Sequence, residues 1–239
     1  MPLSVEGRLF SLNTMFSEVV DRYARPDVLS SSRYAVYNET MTPPKPRAYR
    51  KRKRAEAEED TRRRITEAAV ELHGTVGPAK STLKDVATLA GVSRTTVYSH
   101  FPTEVDLFRA CSRRWASENP FPDPASWTDE DPPARLLVAL KELYGWYGAK
   151  RGMLGNVMRD VPVVPALAEV MGGLWGGYMG AVTATLTHGW STEPGDEGTL
   201  EAMVRLAVDF GTWQLLVDSG LDDEAAANVM ARMVTRTVG

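Results

Sequence analysis

Residues 93–100, Ser-Arg-Thr-Thr-Val-Tyr-Ser-His, form a run of hydrogen-bond donors and acceptors interrupted by one apolar residue, Val97. On a helix this spacing leaves a polar outer face with Val97 alone turned inward. Such a face can read base-pair edges in the major groove of a duplex. The fork of Arg94 matches guanine O6 and N7, and Thr95 can bond to any base or touch a thymine methyl. Arg94, Thr95 and Thr96 fill the first turn, the part of a reading helix that meets base edges. Chemistry for catalysis is missing by comparison. His73, His100 and His188 are scattered, and there is no Gly-x-Ser-x-Gly elbow, phosphate loop or metal-ligand spacing. The acids at 129–131 fall in a proline-rich stretch, so neither an enzyme nor a cofactor is expected.

The elements that must position these side chains are legible on either side. Residues 82–101 have helix-turn-helix spacing, with Val86, Ala87, Ala90, Val92 and Val97 where two short helices bury their contact. Ala87 is small enough for a close, steep crossing. Gly91 can take the left-handed conformation that ends the first helix. Ser93 is a good N-cap for the second helix and Thr82 for the first. Lys84, one turn into the first helix, faces solvent and is a candidate for phosphate. Upstream, Ile65, Ala68, Ala69 and Leu72 form one stripe of a helix over 62–74; downstream, residues 98–108 lead into another.

Ile65, Ala68, Ala69, Leu72, Thr82, Asp85, Val86, Ala87, Ala90, Gly91, Val92, Ser93, Val97, Tyr98, His100, Phe101, Leu107 and Phe108 together resemble the N-terminal domain of the tetracycline-repressor (TetR) family of bacterial transcription regulators, over residues 60–114. The resemblance implies an all-α fold: an N-terminal three-helix helix-turn-helix domain, then a C-terminal helical domain for ligand binding and dimerisation. It implies a double-stranded DNA operator as partner and a homodimer joined through the last two long helices. It also implies that Thr82 reaches a phosphate and that Tyr98 and His100 are a phosphate-contacting pair, the other reading of His100 being a packed residue at the helix end. After His100 the chain departs from the family, which commonly has lysines where Pro102-Thr103-Glu104 stands here. Pro102 suits the first turn of a helix and Thr103 keeps a hydroxyl for phosphate. Glu104 cannot take the lysine's part.

The chain of 239 residues is long enough for more than one folding unit. Its reading divides it into 1–54, a flexible extension with a basic arm, 55–114, the DNA-reading domain, and 115–239, the effector-binding and dimerisation domain. A net charge of −3 hides an asymmetry: residues 1–114 carry 20 Lys and Arg against 14 Asp and Glu, and residues 115–239 carry 8 against 17. Phosphate contact by the front half alone would produce this pattern. Lys45 to Arg54 holds seven basic residues in ten, a basic arm for phosphates or the minor groove in which Arg50 and Arg52 are candidates. The acids of 55–60 are expected to begin a helix, and Arg62, Arg63 and Arg64 to lie at or near the DNA side. Ahead of the arm, residues 1–44 read as a mobile extension with a transient helix around Leu9, Leu12, Phe16 and Val19. Met41 is an alternative start. Charged residues interrupt the first 25 positions, so no cleavable signal is expected and the protein should be cytoplasmic. Cys111, the single cysteine, reads as a small buried hydrophobe.

Residues 119–133 hold five prolines and four acids and read as a linker. Helices are expected over 134–148, over 151–160, across the glycine-rich 170–190, over 200–217 and over 222–238. The uncharged stretch Val170–Trp190 is rich in Gly and Thr and is flanked by Glu169 and Glu193, so it reads as a helix buried in a bundle rather than a membrane span. Gly172, Gly176 and Gly180 share a stripe, with Gly173 and Gly177 beside it. Each costs about 1 kcal/mol against alanine, which either close packing of neighbouring helices or room for a ligand must offset. Trp146, Tyr147, Met153, Met158, Met171, Trp175, Tyr178, Met179 and Trp213 could line an apolar cavity for a small, largely apolar effector, or be core residues. The function expected is a ligand-responsive regulator, most simply a repressor released by its effector. A ligand-free DNA-binding or architectural protein and a helical enzyme are the competing readings.

Overall fold

The computed structural model describes residues 46–191, 193 and 196–238. The expected extension, its transient helix, the Met41 start and Lys45 lie outside the described residues. Two compact units are formed, residues 1–56 and 57–239. In the first, the described stretch is helical from Pro46, and Arg50 and Arg52 are exposed. The acids of 55–60 do not begin this helix, α1 (Pro46–Thr75). Lys, Arg, Ala and Glu all favour helix, and Arg52 pairs with Glu56 at 3.3 Å, so the basic run is helical rather than a loose arm.

The second unit is all-helical among the described residues. After α1 come α2 (Leu83–Leu89), α3 (Arg94–His100) and α4 (Glu104–Glu118). These elements enclose a small core of Ile65, Ala68, Ala69, Val86, Ala87, Ala90, Val97, Phe101, Leu107 and Cys111. The turn between α2 and α3 is closed as the sequence requires. Gly91 has φ +67°, its N–H donates to Thr88 O at 3.2 Å and the Val92 N–H donates to Ala87 O at 2.9 Å, the paired bonds that end a helix on a left-handed residue. Burial pushes the Cys111 thiol up to about 12, which keeps it an inert hydrophobe.

The remaining helices are α5 (Pro132–Asp160), α6 (Pro165–Thr187), α7 (Glu197–Val208), α8 (Phe210–Asp218) and α9 (Asp223–Val238). Several expectations change here. The helices over 134–148 and 151–160 are one, because glycine weakens a helix without breaking it when neighbours pack on it. Gly148 also has a reason to lack a side chain: a Cβ there would lie 2.7 Å from Asp223 Oδ2 at the start of α9. Conversely, the helix over 200–217 is two. Asp209 takes an extended conformation, and its carboxylate accepts from the Thr212 N–H at 2.9 Å to cap α8. The break frees carbonyls at the end of α7, and two buried hydroxyls of α5 take them: Tyr144 donates to Ala207 O at 2.6 Å and Tyr147 to Val208 O at 2.7 Å.

The third correction concerns the glycines. The Gly172, Gly173, Gly176, Gly177 and Gly180 face of α6 is exposed, and a Cβ at any of them would meet nothing within 4 Å. The buried side of α6 is instead Leu167, Met171, Tyr178, Val182, Thr183 and Leu186. Nor is 119–133 a bare linker. Trp127 is 4% exposed and its indole donates to Glu142 Oε2 at 2.6 Å, while the Tyr178 hydroxyl donates to Pro122 O at 2.9 Å. Proline fixes this segment's shape and aromatic residues dock it.

Removing the Tyr147 hydroxyl tests the α7–α8 break. Tyr147→Phe leaves the Val208 carbonyl buried without its donor and should lower unfolding stability by about 1–2 kcal/mol, read from urea titration. Unchanged stability would mean that this hydroxyl does not hold the break.

Candidate DNA-reading face and ligand cavity

The reading helix α3 is presented as its composition demands. Val97 is fully buried, and Arg94, Thr95, Tyr98 and Ser99 are exposed. Ser93 caps the helix, accepting from the Thr96 N–H at 3.0 Å, and its hydroxyl lies 2.8 Å from that of Thr96. Thr96 is therefore half-buried and engaged locally, whereas Arg94 and Thr95 point free polar groups outward. His100 is half-buried at the helix end. Thr82 and Lys84 are exposed at the start of α2.

Both flanking N-caps are capping boxes. The Asp85 N–H donates to Thr82 Oγ1 at 3.2 Å and the Thr82 N–H to Asp85 Oδ2 at 3.0 Å. Thr103 and Asp106 repeat the arrangement at α4. The Thr103 hydroxyl donates to Asp106 Oδ2 at 2.7 Å, and that bond holds the Asp106 carboxyl below its ordinary range. Thr82 does the same for Asp85. Because Thr103 is the cap, Pro102 stands before the helix rather than in its first turn, and Glu104 begins α4 beside the positive end of its dipole.

The arginines of α1 are engaged within the head. Arg62 Nη1 donates to His100 O at 2.7 Å, and its guanidinium lies 4.2 Å above the Phe101 ring. Arg64 Nη1 donates to Ala90 O at 3.0 Å. Each therefore caps the carboxyl end of one motif helix, where carbonyls lack partners and a cation meets a negative dipole. Arg63 is tied to Asp60 and Glu67. Sequence reasoning missed this role, although arginines three residues and one residue before Ile65 were a signal.

Behind the head lies a cavity of about 50 Å³. Its head-side wall is Val70, His73, Phe108, Cys111, Ser112 and Trp115 from α1 and α4. The other wall is Phe121 with Met153, Leu154, Val157, Leu167, Met171, Leu174 and Trp175. Of the residues expected to line a pocket, Met153, Met171 and Trp175 do. Trp146 and Tyr178 stand one layer back, with centroids 5.1 and 4.7 Å from the Phe121 ring. Tyr147 and Trp213 are core instead, almost fully buried, the Trp213 indole donating to Asp223 Oδ1 at 2.9 Å. Met158 and Met179 pack against the core and do not reach the cavity. The head-side residues were not among those that the sequence pattern marked for a pocket. His73, a polar residue in the last turn of an apolar stripe, was the available clue.

The seam beside the cavity is polar. Asn156 Nδ2 donates to His73 O at 3.1 Å and to Gly74 O at 2.9 Å, and Arg159 Nη2 reaches Val76 O at 3.3 Å. Asp160, 3% exposed, accepts from the Ala79 N–H at 2.9 Å and from Arg159 Nε at 2.7 Å. The Arg159 guanidinium holds its carboxyl below the ordinary range. Gly77, with φ +95°, has no room for a Cβ against Arg159 and Asp160. His73 stacks on Phe108 with centroids 5.2 Å apart, and burial lowers its pKa to about 4, opposed by the charge of Asp160. Among the described residues no group of three or more His, Cys, Asp and Glu could hold a metal ion, and no helix is long and apolar enough to cross a membrane.

Residues 65–111 match the model of the bacterial regulatory proteins of the tetR family. The fold is similar to that of NalD, the secondary repressor of the MexAB-OprM multidrug efflux pump in Pseudomonas aeruginosa, at TM-score 0.55 and 21% identity, over 76% of this chain and 97% of that one. It is similar to the transcriptional regulator FadR from Bacillus subtilis, solved in complex with stearoyl-CoA, at TM-score 0.53 and 16% identity, over 72% and 96%. A transcriptional regulator from Rhodococcus sp. Rha1 is similar at TM-score 0.52 and 18% identity, over 74% and 97%. No curated protein sequence matches the chain.

The neutrality of His73 makes stability depend on pH. With its pKa at about 4 in the fold and 6.5 ordinarily, the unfolded chain binds the extra proton between these values. Its contribution is complete above pH 6.5 and is lost as pH falls toward 4, by about 3 kcal/mol in all. Urea titrations from pH 7.5 to 4.5 should show a shallower loss in His73→Leu than in wild type. Parallel profiles would mean that His73 is not held neutral.

Proposed function

We propose that the chain, whose residues 65–111 match the model of the tetR family of bacterial regulatory proteins, is a ligand-responsive transcriptional regulator, most simply a repressor. It reads its operator as a homodimer. The observation that carries this reading is the outward polar face of α3, with Arg94 and Thr95 exposed above a buried Val97. The head, residues 55–114, supplies base contacts from Arg94 and Thr95, with Thr96 beside them in the first turn of α3. Phosphate contacts come from Thr82, Lys84, Ser93, Tyr98, His100 and Thr103. Arg50 and Arg52 add salt-dependent affinity.

One head covers too few base pairs for selectivity against a genome's non-specific sites. The body, residues 115–239, supplies the second copy through its last helices. Leu206, Leu215 and Met233, on α7, α8 and α9, are 47%, 68% and 47% exposed, an apolar set suited to a two-fold bundle. The cavity is the effector site. Because α1 and α4 form one of its walls, a small, largely apolar molecule that enlarges it must move the head against the body. A tenfold release from the operator needs only about 1.4 kcal/mol of preference for the unbound arrangement. A dimer seated on a promoter represses without further contacts, and its place of action is the cytoplasm, with the DNA. NalD is a repressor and FadR was solved with stearoyl-CoA, and both precedents support this reading rather than catalysis.

Selection of duplexes from a random pool with purified protein should return a palindrome whose half-sites lie about 10 bp apart or a multiple of that. Arg94→Ala should cost about 1–3 kcal/mol and relax one position per half-site, whereas Lys84→Ala should weaken all duplexes alike. No enrichment at low salt would overturn the proposal. Separately, Leu215→Glu should give a monomer in sedimentation. A dimer unaffected by it would move the interface elsewhere.

A further inference from the structure

The cavity is too small for the effector that it is proposed to take. Its 50 Å³ is about a third of the volume that admits benzene in an apolar core. Room must come from a side chain that can leave. Phe121 is half-buried, lies in the non-helical segment between α4 and α5, and lines the cavity. Its ring sits in a box of Trp146, Trp175 and Tyr178, at centroid distances of 5.1, 5.9 and 4.7 Å, stacked at 21° on Tyr178. These are the separations at which flat rings attract one another. Phe121 is on no helix, so its ring can rotate out while Pro122 and Trp127 keep the segment docked, whereas the box residues are fixed on α5 and α6.

The lining also sets the ligand's charge. No Asp, Glu, Lys or Arg is among the residues around the cavity, and its polar members are His73 and Ser112. A buried ion without a partner costs several kcal/mol, so either sign of charge is excluded. In the box behind Phe121, the Trp146 Nε1–H is buried and has no hydrogen-bond partner among the described residues. An acceptor oxygen would relieve that cost.

We propose that the site takes an uncharged, planar aromatic molecule carrying a hydroxyl or carbonyl, and that its ring replaces the Phe121 ring in the Trp146–Trp175–Tyr178 box. The inference rests on the reading of this cavity as the effector site. Phe121 is the chain's own occupant of the aromatic subsite, and the ligand competes with it.

Three probes with one ring system test this on the full chain: 1-naphthol, 1-naphthoate and 1-naphthylmethylammonium, titrated by tryptophan fluorescence and by thermal shift. Wild type should bind the naphthol at least tenfold more tightly than either ion. Phe121→Ala, which has no ring to displace, should bind naphthol about tenfold more tightly still. The charge series on wild type stands even if that variant is poorly folded. Equal binding of an ion, or weaker binding by a folded Phe121→Ala, overturns the proposal. Decanol serves as an aliphatic control. Binding of decanol with no response to naphthol overturns the aromatic assignment and leaves the effector site standing; no response to any probe removes both.

Discussion

The orphan carbonyls at the end of α1 are the constraint on which the rest depends. A helix leaves its last four carbonyls without intrahelical donors, and here those of His73 and Gly74 are met by Asn156 of α5, while that of Val76, just past the helix end, is met by Arg159. Asp160 extends the seam by accepting from the Ala79 N–H. The head thus completes its own first helix only by bonding to the body. Any change in the angle between head and body has to break or exchange these bonds. Each is worth about 1 kcal/mol net, the same order as the coupling that a tenfold response requires.

The same seam explains why the cavity lies where it does. Apolar packing between head and body centres on Phe108, Leu167 and Met171 and their neighbours, with Trp115 against Trp146, and polar bonds hold the edge. Between the two remains a gap walled by both parts. Within the body, by contrast, Tyr144 and Tyr147 turn a helix break into a satisfied joint, their hydroxyls replacing the donors that Asp209 interrupts.

Local chemistry was legible in the sequence. The caps at Thr82 and Ser93, the left-handed Gly91 and the inward Val97 follow from residue type and spacing, because each is decided within a few neighbours. What failed was whatever distant contacts decide. Gly148 leaves room in α5 for Asp223, far along the chain, and the carbonyls freed by the break at Asp209 are met by tyrosines of α5. Aromatic and sulfur-bearing residues of the body read alike as pocket or core, so Met153 and Tyr147 could not be told apart by pattern. Arg62 and Arg64, read as facing DNA, are held by carbonyls of α3 and α2 that no periodicity reveals.

The central claim is that occupancy of the cavity and grip on DNA oppose each other. Linkage makes that claim measurable from either side. The affinity of 1-naphthol, or whichever neutral aromatic binds more tightly, is measured for the free protein and for the protein saturated with its selected duplex. The account predicts affinity at least tenfold weaker on the duplex-bound form. Equal affinity in the two states would contradict it.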